Sequence, residues 1–125
     1  MLRPMIKPAA LAATLLGVGG CGPPATEARF DSANPAAKMY AIEKAARNLD
    51  RSSTPRIVEQ LDSDDPAVRM LAITALQLLT GETYDYRHYD PVYLRRAAIK
   101  RWVEAVESGT LPVASNAGTS RKNNG

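Results

Sequence analysis

The chain has 125 residues and a formal net charge of +3, from 16 Lys and Arg against 13 Asp and Glu. It holds one cysteine and one histidine. An intramolecular disulfide is therefore excluded, and a zinc site, which gathers three or four ligands, has little to be built from. A nucleophilic triad needs a base beside its nucleophile; His88 is the one histidine, and no serine motif accompanies it. The chain reads as a protein without a catalytic centre or a metal site.

Residues 1–20 have the order of an export signal. Arg3 and Lys7 lie in a basic first segment, an apolar stretch runs from Ala9 to Val18, and Gly19 and Gly20 precede Cys21. The stretch falls short of the roughly 20 residues that cross a bilayer, and no other segment approaches that length. The box Val18-Gly19-Gly20-Cys21 resembles the lipobox of bacterial lipoproteins, with Gly19 where alanine or serine is more usual. The resemblance implies cleavage before Cys21 and a thioether from its sulfur to diacylglycerol. Acyl chains such as palmitate are then the only non-peptide group, and no other cofactor is expected. Two or more chains give a stable anchor, at about 0.8 kcal/mol per buried methylene. The resemblance also implies the extracytoplasmic face of a bacterial cell membrane or outer membrane. Gly22 after the cysteine, in place of aspartate, favours the outer one. Without Arg3 and Lys7 the chain keeps 14 basic and 13 acidic residues, a net charge of +1. Nucleic acid is not an expected partner.

Residues 21–33 are rich in small and polar side chains, with Pro23-Pro24, and read as a tether. Residues 110–125 hold little to bury and read as a disordered tail. Between them, 34–109 is the expected folded domain. Three segments there open alike: Asn34-Pro35-Ala36, Asp65-Pro66-Ala67 and Asp90-Pro91-Val92. Asn or Asp at the N-cap accepts from unpaired amides, and proline at the first helical position lacks an amide that would go unpaired. Thr54-Pro55 repeats the device. The spacing predicts helices over 35–49, 54–61, 66–80 and 91–108, with Gly81 and Gly109 closing the last two. Apolar residues recur with helical period on each, as in Val68, Leu71, Ala72, Ala75, Leu76 and Leu79. Trp102 is expected to plug the end of this core. No segment alternates with period two, so no strand is expected and the fold class is all-α.

Pro35 and Pro66 stand 31 residues apart, and Pro, Ala, Met, Ala and Ile match at that offset. The third segment matches with one extra residue, placing Arg95 opposite Arg69. A period near 30 in a helical chain signals stacked helix pairs. Here the sequence resembles the HEAT-repeat family, most clearly from Thr54 to Leu79, where Asp65-Pro66-Ala67-Val68-Arg69 opens the second helix of a pair. The resemblance implies a short α-solenoid of about two and a half units. It also implies an inter-unit hydrogen bond or ion pair from Arg69 to Asp62 or Asp65, and a role in binding other proteins. Some proteins of this kind act on bilins; nothing in this chain supplies that chemistry. A solenoid this short needs a capping loop, a partner or a second copy over its ends.

The connector 81–90 is the most distinctive patch, with Tyr84, Tyr86, His88 and Tyr89. Tyrosines suit interfaces, but the reading favoured for them is a strap packed over the last helix pair; one can face in while another faces out. Arg95, Arg96, Lys100 and Arg101 form a basic face on the last helix, and Glu59, Asp62, Asp64 and Asp65 an acidic turn one unit earlier. The basic face reads first as solvated surface and second as a site for anionic envelope polymer or lipid. The leading functional expectation is a membrane-anchored scaffold or protein-interaction module of the bacterial envelope, with another envelope protein as partner. The alternative is a structural envelope protein that binds anionic polymer or lipid through the basic helix.

Overall fold

A computed structural model of the chain describes residues 27–112. The leader, Cys21 and the tail beyond Pro112 lie outside the described residues. The described residues are all-helical: α1 (Pro35–Arg47), α2 (Thr54–Glu59), α3 (Pro66–Thr80) and α4 (Val92–Ser108), with single 3-10 turns at Arg51–Ser53 and Gln60–Asp62 flanking α2.

The expected caps operate at α1 and α3. Asn34 Oδ1 accepts from the Ala36 amide at 3.0 Å, and Asp65 Oδ1 accepts from Ala67 at 2.7 Å and Val68 at 3.2 Å. Proline follows each cap at the first helical position. Helix α4 departs from this pattern. It begins at Val92, and Pro91 occupies the N-cap with extended ψ and no side-chain cap bond. The Asp90 amide is tied into a turn on the Arg87 carbonyl, and its own carbonyl is held by Arg95, so the preceding turn fixes where the helix can begin. The extra residue of the third segment is absorbed by this later start. Lys38, Arg69 and Arg95 each become the fourth residue of their helices.

Helices α3 and α4 end on Gly81 and Gly109 in the left-handed region, at φ 79° and 67°. Helix α1 ends two residues earlier than expected, at Arg47. Leu49 there takes φ 50°, and the Asp50 amide reaches back to the Ala45 carbonyl to close the turn.

Helix α1 packs on α3, α2 packs on α3, and α4 packs on α2 and the 60–62 turn. The core runs through all four, with Ile42, Ile57, Leu61, Val68, Leu76 and Trp102 fully buried. Burial of a side chain of this size stabilises by about 1.5–3 kcal/mol, so the apolar stripes set the packing. Ordered contacts extend beyond the expected 34–109. In the stretch read as tether, Arg29 donates its amide to the Ala37 carbonyl, and Phe30 packs on the core. The Phe30 carbonyl accepts from buried Gln60 at 3.3 Å. At the other end Leu111, read as tail, also packs on the core. Both contacts have one cause: a single large apolar side chain in a polar segment finds a hydrophobic edge to cover.

Candidate interaction surface

The connector between α3 and α4 is held chiefly by its carbonyls. Trp102 Nε1 donates to Thr83 O at 3.1 Å, Arg101 Nε to Tyr84 O at 3.2 Å, Arg69 Nε to His88 O at 3.2 Å, and Arg95 Nη1 to Asp90 O at 2.8 Å. Four donors from two helices therefore satisfy a segment that has no ladder of its own. Tyr84 and Asp85 both take positive φ, at 48° and 58°. The reversal brings the Tyr86 amide to the Thr83 carbonyl at 2.9 Å.

The tyrosines divide by direction. Tyr84 is half-buried edge-on against Trp102, with ring centroids 4.7 Å apart. Tyr86 is buried and donates its hydroxyl to the Leu61 carbonyl at 2.6 Å. Burial raises the Tyr86 phenol above its ordinary pKa, because the phenolate would lose its hydration. Tyr89 points out at 70% exposure, edge-on to half-buried His88. Tyr93 on α4, which the sequence reading did not single out, is as open at 71%. A tyrosine on the second residue of a helix that begins one residue late carries no sequence signal for facing outward.

The cations also divide. Arg69 does not pair with Asp62 or Asp65. Its Nη1 donates to the carbonyls of Ser63 at 2.8 Å and Asp64 at 2.9 Å, beside the Nε bond to His88. The Asp65 carboxylate is already engaged in capping α3, and carbonyls of the acidic turn take its place. Arg69 thus joins the turn before its own helix to the connector after it. Arg95 repeats half of this: its Nη1 holds the carbonyl five residues back, but its Nε is buried with no partner among the described residues. Arg101 is engaged with the connector, whereas Arg96 and Lys100 are exposed. Among the described residues the ion pairs are Arg29–Asp31 and Glu43–Arg47, so neither Arg96 nor Lys100 is in one.

No protein-family model, curated protein or solved structure matches this chain. The reading of its surface rests on its own geometry. Among the described residues no group of three His, Cys, Asp or Glu could hold a metal ion, and no helix is long and apolar enough to cross a membrane. Pro66 opens α3 as anticipated, and Trp102 closes the core with no exposed area. What sequence reading missed is a groove of about 230 Å³ between α2 and α4, floored by Val58, Ile99, Val103 and Val106. Glu59, Asp62 and Glu107 rim it. These residues are ordinary members of two amphipathic stripes, and only the spacing of α2 from α4 turns them into a cleft.

Proposed function

We propose that the chain is a lipid-anchored interaction module of the bacterial envelope, built as a short HEAT-like solenoid. The order of packing supports the solenoid. Helix α1 packs on α3, α2 packs on α3, and α4 packs on α2. On this reading α4 is the second helix of a further pair, as the match of Arg95 with Arg69 implies, and it packs on α2. Its partner helix is replaced by the connector. The array then counts one full pair between two half pairs, and Arg69 is its inter-unit link.

The interaction reading is carried by Tyr89 and Tyr93, two aromatics four residues apart and left 70% and 71% exposed where α4 begins. Exposed tyrosines that offer both ring and hydroxyl are favoured at protein interfaces. The lipobox-like segment before Cys21 supports the anchor. Binding of anionic polymer through 95–101 is the weaker reading, since Arg95 and Arg101 spend hydrogen bonds on the connector. Mass spectrometry of the membrane fraction tests the anchor: Cys21 is expected as an acylated N-terminus, and Cys21→Ser should release the protein from membranes. A photo-crosslinker at Tyr93 tests the partner. Recovery of one envelope protein is expected, and recovery of lipid alone would overturn the interaction reading.

A further inference from the structure

Helix α4 carries its charge against its own dipole. Its N-terminal half holds Arg95, Arg96, Lys100 and Arg101, and its C-terminal half Glu104 and Glu107. Its first turn has no acid and its last turn no base. A helix alone is stabilised by the opposite arrangement. The same helix carries an apolar stripe along the groove, exposed at Val92 and Val103 and half-buried at Ile99 and Val106, spaced by seven, four and three residues as one face of a helix requires. Val92 is 48% and Val103 38% exposed. Arg96 and Lys100 flank the stripe at its basic end; Glu107, with Glu59 and Asp62 across the groove, flanks it at its acidic end.

We propose that the α2–α4 groove is the surface through which two copies of this chain associate, with their α4 helices antiparallel about a two-fold axis. The occupant follows from the charge pattern. A second α4 running antiparallel brings its basic half over the acidic half of the first, at both ends, and opposes the two helix dipoles favourably. A parallel copy would set like charges together. The register that sets Ile99 against Val103 of the second copy places Arg95 and Arg96 beside Glu107 of that copy. The self-complementarity is that of an isologous contact, in which one patch meets itself. This goes beyond the anchored-module reading and needs neither the lipid nor the exposed tyrosines.

Sedimentation velocity of the full chain in density-matched detergent tests it. A monomer–dimer equilibrium with a Kd of about 1–100 µM is expected for a small helix–helix contact, weakening as salt rises. Val103→Glu should weaken it at least tenfold, and Arg96→Glu or Glu107→Arg alone about tenfold each. Mixing Arg96→Glu with Glu107→Arg should give tighter association than either variant shows alone, because both 96–107 pairs between the copies are then of opposite sign. All three side chains are exposed, and unchanged circular dichroism and melting would show that the variants fold. A parent chain that stays monomeric at about 200 µM in low salt would overturn the proposal. So would a dimer indifferent to Val103→Glu, or single variants that do not rescue each other. An occupant other than a second copy would give one of those results.

Discussion

The connector and the α2–α4 groove use similar chemistry in opposite ways. The connector is rich in aromatics and bordered by arginines, which on a list of residues looks like a recognition loop. In the fold it turns two of its three tyrosines inward and spends four donors on its carbonyls. The groove is made of valines, isoleucine and glutamates that look like any helix surface, yet it leaves apolar area and unpaired charge in the open. A tyrosine-rich loop without regular hydrogen bonds must satisfy its backbone somewhere, and nearby arginines and a tryptophan do so. A helix satisfies its own backbone, so its side chains remain free to face outward.

Trp102→Ala should separate the two regions most sharply. It removes the largest fully buried side chain together with the bond to Thr83 and the contact with Tyr84. Urea denaturation should show a loss of about 3–5 kcal/mol. Arg69→Leu comes next. Three carbonyls lose their donor, and a cost of about 2 kcal/mol is expected. Arg95→Leu gives up one such bond and should cost about half as much, measured the same way. If the two arginines cost the same, the further bonds that Arg69 makes add nothing.

Tyr86→Phe keeps the ring and deletes the bond to Leu61, for about 1–2 kcal/mol by thermal or urea unfolding. Its pH dependence carries a sign. The folded-state pKa is raised above the unfolded value near 10. The phenol's contribution is therefore whole below about pH 10 and is lost as the pH rises through the folded value. The parent should lose stability in that alkaline window and Tyr86→Phe should lose less. Asp50 has the opposite sign: hydrogen bonds from Ser52 and Ser53 lower its carboxyl below the ordinary range. Its contribution is present above about pH 4 and is lost as the pH falls through the folded value. Smallest of all, Val103→Glu should leave stability within about 0.5 kcal/mol, as surface changes do. A larger loss would mean that the groove is part of the core.

The four helices were legible because capping and periodicity are local: Asn34 and Asp65 precede prolines, and the apolar positions recur every three or four residues. Boundaries failed where a local signal met a tertiary demand. Asp90-Pro91 has the same appearance as Asp65-Pro66, but Arg95 holds the Asp90 carbonyl in the preceding turn and the helix starts late. Phe30 and Leu111 sit in segments whose composition spoke against packing, and one apolar side chain in each found the edge of the core. The arginine at position 69 was recognised as structural but assigned the wrong partners, since the carboxylate nearest in sequence was already capping a helix.

By itself, the sequence determined an all-helical fold and the stripes that form its core, because helix formation and amphipathicity are set within a few turns of chain. Tertiary structure alone decided which tyrosines face solvent, which arginines are engaged with backbone, and that α4 lies on α2. Those outcomes depend on which surfaces remain uncovered once every buried carbonyl has found a donor, and that balance exists only when all four helices are in place.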